Sequence, residues 1–490
     1  MRKFVSMLAI SALAMAFVAC DDDDDSAPDA PSLTPPAASN VQIGNPVDVT
    51  FAVSVPGGYK SVTTTATGGT AAKKSELAAG ANSGNVVVTF TADNTPGAGT
   101  ITITVTDNND KSASQTAAIN KTSEPVVPSE IEISANITED ATWETGKTYI
   151  LTSRIAVVDG VTLTIEPGVV VKGEAGTGTN ATALIIARGA TILAEGTAES
   201  PIIFTSVADE IEPGMIESPN LEPTLSGLWG GLLIMGKAPI SVASDNQTAQ
   251  IEGIPADDPN GTYGGNIGDD NSGIIRYVSI RHGGSNIGEG NEINGLTLGG
   301  VGSGTLIEYV EVVGNQDDGI EWFGGTVNVS HALVWYAGDD AIDTDQAWGG
   351  TLDNFIVIGA LEDKLFELDG PEGTLAATHT LKNGSVRATI ADDGVQAAGL
   401  VDLDANSLTN MESIYFFDIV AGQTFDLKPV GCTFASLEAT IPDGTALTDF
   451  FLDGTDVFTT SVGAGANTVG ADKTQFTWTW ASAYGALDSF

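Results

Sequence analysis

Six acidic residues fall in three adjacent pairs along the middle of this 490-residue chain: Asp317-Asp318, Asp339-Asp340 and Glu362-Asp363. Successive pairs are 22 and 23 residues apart. A step of that size is one turn of a β-solenoid. Stacked coils would put Asp317, Asp339 and Glu362 in one column and Asp318, Asp340 and Asp363 in another. At a coil spacing of about 4.8 Å, two unit charges repel by about 1 kcal/mol in water and by about 3.5 kcal/mol at an effective dielectric of about 20. Three arrangements relieve this. A bound Ca²⁺ takes several carboxylate oxygens, with Asp318, Asp340, Asp343 and Asp363 as the ligand set. A raised carboxyl pKa makes one acid a general acid, with Asp317, Asp339 and Asp340 as the catalytic set. In the third, the acids cap turn NH groups, are offset by Lys364, and are structural. Glu321, Asp343, Asp345, Glu367 and Asp369 extend the cluster along the chain.

Other chemistries find little support. The three histidines, His282, His331 and His379, have no metal-ligand spacing, which argues against zinc. His282, in Ser279-Ile-Arg-His-Gly-Gly284, reads as an exposed turn residue, with ligand contact as the alternative. There is no Gly-x-Ser-x-Gly elbow and no P-loop. A formal charge of −45, from 19 basic and 64 acidic residues, excludes nucleic acid as a partner and attracts divalent cations.

The elements that must position these residues are β-strands. Short runs recur at Tyr277–Ile280, Tyr309–Val312, Ala332–Trp335 and Phe355–Ile358, the last three at 23-residue steps. Upstream, Asp159-Gly-Val-Thr-Leu163 is echoed by Arg188-Gly-Ala-Thr-Ile192. Trp229-Gly-Gly231, Trp322-Phe-Gly-Gly325 and Trp348-Gly-Gly350 read as a recurring corner where Gly allows a tight bend, which makes Trp322 and Trp348 candidate ligand contacts alongside His282. The stretch Asp257–Gly273 reads as a surface loop rich in oxygen ligands. Phe450, Phe451, Trp478 and Trp480 are expected to cover the open end of the solenoid from about residue 445. Alternation at Val47–Val55, Val86–Phe90 and Ile101–Val105 predicts a small antiparallel sandwich over 37–121, joined by a linker at 122–129. The fold expected is therefore all-β, with a parallel β-helix over 130–490.

The N-terminus carries a basic Arg2-Lys3, an apolar stretch too short to span a bilayer, and Phe17-Val18-Ala19-Cys20, which resembles the lipobox of bacterial lipoproteins. That resemblance implies a signal peptide over 1–19, a lipid on Cys20, and a tether over 20–36 that begins with Asp21 to Asp25. With Cys20 lipidated, Cys432 has no disulfide partner, so stability must come from burial. The sandwich resembles bacterial immunoglobulin-like domains, and the repeats resemble right-handed parallel β-helices. Asn315-Gln-Asp317 and Gly338-Asp-Asp340 resemble two motifs of polygalacturonase-type hydrolases. The chain departs from that family's Gly-His-Gly turn, where Leu361-Glu-Asp-Lys-Leu365 stands, and from its Arg-x-Lys strand. As a whole, 130–490 resembles a family of Bacteroidota surface lipoproteins, through Asn291–Gly300 and Gly319-Ile-Glu-Trp-Phe-Gly-Gly325. This implies display outside an outer membrane, with a glycan or an outer-membrane protein as partner. Two functions are carried forward: a non-enzymatic surface protein that binds glycan or a partner protein, and a hydrolase or lyase of acidic glycans.

Overall fold

The computed structural model describes residues 28–34, 36, 39–122, 130–176, 178–288, 291–360, 363–390 and 395–490. Cys20, the acidic run after it, most of the linker and Glu362 lie outside the described residues. The chain forms two units, one ending at Val126 and the other starting at Val127.

In the first unit, two four-stranded sheets share one core. Ser32–Thr34, Pro46–Ser54, Ser83–Ala92 and Gly69–Ser75 make one sheet; Ser39–Gln42, Ser112–Thr122, Gly97–Asp107 and Tyr59–Thr67 make the other. The alternating Val49, Phe51, Val53, Val86, Val88, Phe90, Ile101, Ile103 and Val105 are all buried between them, because in a strand every second side chain points to the same face.

The second unit is a right-handed parallel β-helix. Its coils feed two long parallel sheets, one of sixteen strands and one of eight. The larger sheet carries the long strands Gly273–Arg281, Leu306–Asn315, Val329–Ala337, Thr351–Ala360, His379–Arg387 and Thr409–Phe417, each paired with the next. The smaller sheet carries short strands, among them Leu296–Gly299, Ile320–Phe323, Ile342–Asp345, Lys364–Leu368 and Gly399–Leu403. Val310, Ala332 and Phe355 stand in register and point inward, as do Val312, Val334 and Val357. The uniform 23-residue step is thus corrected: Tyr309 aligns with His331, one residue earlier than Ala332. That shift of one residue decides which side chains face the interior.

Every long strand carries a left-handed residue at one common position. Tyr277, Tyr309, His331, Asn354, Asn383, Ser413 and Ser436 have φ between 50° and 58°. None is glycine, and only His331 and the two asparagines are of residue types enriched in this conformation.

The tryptophan corners are also corrected. Trp229 precedes the strand Leu232–Met235, Trp322 lies within Ile320–Phe323, and Trp348 follows Ile342–Asp345. All three are buried in the interior, and Trp322 stacks on Trp348 at 4.6 Å. Phe450 and Phe451 do join the interior, beside Phe425. Trp478 and Trp480 do not cover the end. The tail turns back to the middle coils, where Trp478 meets the Tyr277 ring edge-on at 5.5 Å and Trp480 packs on Trp335. Glu311 holds it there: its carboxylate accepts from Ala481 N at 2.9 Å, Trp480 N at 3.2 Å and Ser279 Oγ at 2.6 Å. Arg281 lies 3.7 Å from Glu311 and under the Trp480 ring, and both charged groups are buried. Removing one partner of such a pair leaves an uncompensated charge, at a cost of about 3–5 kcal/mol. Glu311→Ala is therefore expected to lose about that much stability, and limited proteolysis should release residues 472–490 from the variant before the coils unfold. Equal tail protection in both proteins would contradict this.

Candidate functional site

The short strands of the eight-stranded sheet alternate strictly. Ile320 and Trp322, Ile342 and Thr344, and Phe366 and Leu368 turn inward and are buried, so the residues between them face outward. Those residues are acids in register: Glu321 beside Asp343, Asp343 beside Glu367, Glu367 beside Asp402. Asp345 ends the second of these strands and Asp369 follows directly after the third. Like charges directly opposite are unfavourable in a sheet, so four acidic rungs in a row require compensation.

The turn before these strands adds the predicted pairs, and here the structure gives them a defined job. Asp318 N donates to Asn294 Oδ1 at 3.2 Å, Asp340 N to Asp318 Oδ1 at 2.9 Å, and Lys364 N to Asp340 Oδ1 at 2.7 Å. Each carboxylate or amide thus accepts a backbone NH from the following coil. Asp318 and Asp340 are buried, Asp317 and Asp363 are half-buried, and Asp339 is exposed. Among the described residues, Lys364 supplies the ion pairs seen here, to Asp363 and, at 3.6 Å, to Asp402.

A cover closes the upstream side. Ile240, Val242, Ile251, Ile254 and Tyr263 pack on Ala183, Ile185, Leu233 and Met235, the outward residues of earlier coils, and on Phe323 of the strand that carries Glu321. Asp257–Gly273 is therefore no free surface loop: Tyr263 is buried and its hydroxyl donates to Gln346 Oε1 at 2.8 Å, while Asp258 pairs with Arg154. The cover brings Glu252 to the acids, where Asn294 also bonds Glu321.

Burial under this cover and mutual repulsion push the carboxyls up together. Asp317 rises to about 9, Asp318 to about 8 and Asp340 to about 10, in each case mainly through desolvation and then through neighbouring acids. Glu252, Asp345 and Asp369 rise to about 7 for the same reasons. Glu321 and Asp343 are also raised, first by burial, and then Glu321 by Asp343 and Asp343 by Asp318 and Glu367.

Three overlapping groups have carboxylate oxygens within 4.8 Å of one another: Asp317, Asp318 and Asp339; Asp318, Glu321 and Asp343; Asp339, Asp340 and Asp363. Ca²⁺ holds oxygens at about 2.3–2.6 Å, so two ligands on opposite sides of one ion are about 5 Å apart. Each group fits within that span. The predicted ligand set is divided among two of these groups and not gathered in one.

The aromatic candidates are corrected. Trp322 and Trp348 face the interior, and the Trp348 indole NH donates to Val327 O at 2.9 Å. His282 is fully buried, with Nδ1 2.6 Å from Leu225 O and its ring edge-on to Trp480 at 5.5 Å. None of the three can reach a ligand. The rungs at Glu252 and Asp402 went unpredicted; the alternation Val401-Asp-Leu403 carried the signal for the second.

The family model of the pectate-lyase-like β-helix domain matches residues 135–400, more than half of the chain. The chain belongs to this family. In this pectate-lyase-like β-helix protein the matched span includes both acid columns and the first three rungs. Among solved structures, a Yersinia enterocolitica family 28 exopolygalacturonase matches at 9% identity over 88% of this chain and 90% of its own, with a TM-score of 0.23. At that score the likeness carries no argument. No curated protein matches the chain.

The raised pKa values fix a pH dependence. These acids keep protons in the folded state that the unfolded chain releases near pH 4, so the stability they contribute is full below that pH and is lost as pH rises toward 10. In chelator, the melting temperature should fall between pH 5 and 9. Asp318→Asn keeps the acceptor for Asp340 N and removes a charge. It should flatten this slope and recover the equivalent of about 1–2 kcal/mol at pH 8; an unchanged slope would show that the stack does not set the pH dependence.

Proposed function

We propose that this chain is a non-catalytic surface lipoprotein of the Bacteroidota type, anchored by lipid on Cys20, whose β-helix binds glycan while Ca²⁺ occupies the acid stack. The observation that carries the reading is what the acids already do. Asp318 and Asp340 accept backbone NH groups of the next coil, and the oxygens of Asp317, Asp318 and Asp339 crowd within 4.8 Å. Three carboxylates whose oxygens approach one another this closely suit a shared cation or a shared proton. Ca²⁺ would also offset the repulsion that Lys364 alone leaves. Asp21 to Asp25, just after the lipidated cysteine, supply the surface-export signal in this reading.

A second reading has its own observation. Asp317, raised to about 9, lies beside the exposed Asp339, and a protonated acid next to a solvent-facing carboxylate is the arrangement of general acid–base catalysis. The family name, pectate-lyase-like, is compatible with an activity on acidic glycans.

Three measurements decide. The purified chain should release neither reducing ends nor unsaturated products from polygalacturonate, with or without Ca²⁺, and should be retarded in gels containing glycan. Turnover that Asp317→Asn abolishes at an unchanged melting temperature would establish the enzyme instead. Protease treatment of intact cells should remove the chain, and full protection would refute surface display.

A further inference from the structure

The left-handed column of the larger sheet changes chemistry along its length. On three successive coils it carries rings, with Tyr277 stacked on Tyr309 at 4.4 Å and Tyr309 on His331 at 4.3 Å. On the next two coils it carries the shorter amides Asn354 and Asn383. Where rings give way to amides, the surface steps down into a cleft of 480 Å³. His331 stands at one end of it, Asp353, Asn354 and Asn383 line it on the coils, and Asp472 and Gln475 face them from the returning tail.

Its polar groups are held in place but not used up. Asn383 Nδ2 donates to Asp353 Oδ1 at 2.7 Å, which leaves the Asn383 carbonyl oxygen. Lys382 pairs with the other Asp353 oxygen at 3.2 Å. The Tyr309 hydroxyl donates to Gln475 Oε1 at 3.2 Å, so the glutamine side chain is oriented by the aromatic column. Asn354 Oδ1 accepts from Asp472 N at 2.6 Å and fixes the tail wall. His331 Nδ1 is buried with no hydrogen-bond partner.

We propose that this cleft is a binding site for a neutral saccharide. Planar amides and a carboxylate beside aromatic rings offer a polyol paired donors and acceptors along with an apolar edge. The volume lies in the range of small-ligand sites, about 300–1,000 Å³. Two carboxylates, Asp353 and Asp472, set against the single ammonium of Lys382, disfavour a polyuronate. The site lies on the opposite sheet from the acid stack, so cation binding and sugar binding are separate functions. This assignment rests on the glycan-binding reading above and gives it a place and a substrate class.

Isothermal titration calorimetry of the full chain against neutral gluco-, manno- and xylo-oligosaccharides, with galacturonate oligomers alongside, tests it. Asn383→Gly removes the amide while keeping a residue suited to positive φ, and Gln475→Ala trims the opposite wall. Each variant should weaken binding of a neutral oligosaccharide at least tenfold at an unchanged melting temperature. Wild-type affinity in both variants would overturn the site and leave glycan binding standing. Binding of galacturonate oligomers alone would overturn the neutral class. No binding to any of these sugars would overturn both the site and the reading on which it rests.

Discussion

Parallel coils stacked in register make each side chain the nearest neighbour of its own counterpart, about 4.8 Å away. Apolar counterparts add up to a continuous interior, as Val310, Ala332 and Phe355 do. Charged counterparts have no such easy outcome, and the two sheets resolve it differently. On the larger sheet the column beside the left-handed bend alternates in sign or polarity: Arg276 meets Glu308, and Asp353 meets Lys382, with ion pairs at 2.5 and 3.2 Å. On the smaller sheet Glu321, Asp343, Glu367 and Asp402 follow one another without a change of sign. The acid stack is therefore a departure from a rule that the same molecule obeys elsewhere.

That departure is sustained by local structure. The upstream rungs of the same face are apolar and covered by Ile251, Ile254 and Tyr263. The cover lowers the local dielectric over the acids next to it, which raises their affinity for protons and, by the same electrostatics, for a divalent cation. The backbone bonds accepted by Asp318 and Asp340 keep the carboxylates in line while they bear the repulsion. Stability and ligand affinity are coupled here, since whatever neutralises the stack also stabilises the coils.

Much of this was legible in the chain. The acid pairs at 22 and 23 residues announced their columns, and alternation marked both the sandwich and the long strands, because burial on one face imposes a period of two. What stayed hidden depended on contacts far along the chain. His282, between Arg281 and two glycines, has the local look of an exposed turn; Leu225 and Trp480 bury it. Trp322 and Trp348 share a Gly-Gly suffix without sharing a position in the coil. The left-handed column was readable at His331, Asn354 and Asn383 but not at Tyr277 or Tyr309, whose type does not favour that conformation. The slip of one residue between Tyr309 and Ala332 has the same origin, since an aromatic at the bend looks like the first residue of a buried run.

The tail contact has a consequence for the order of assembly. Glu311 finds Trp480 N 169 residues further along the chain, and closing a loop of that length costs about 4–5 kcal/mol of chain entropy. Coils built from neighbouring segments close much shorter loops, so they form first and present Arg281 and Glu311 to water until residues 472–490 arrive. A chain that closes its shortest loops first thus reaches its solenoid before its latch, and the burial of the Arg281–Glu311 pair marks the arrival of residues 472–490 on the middle coils.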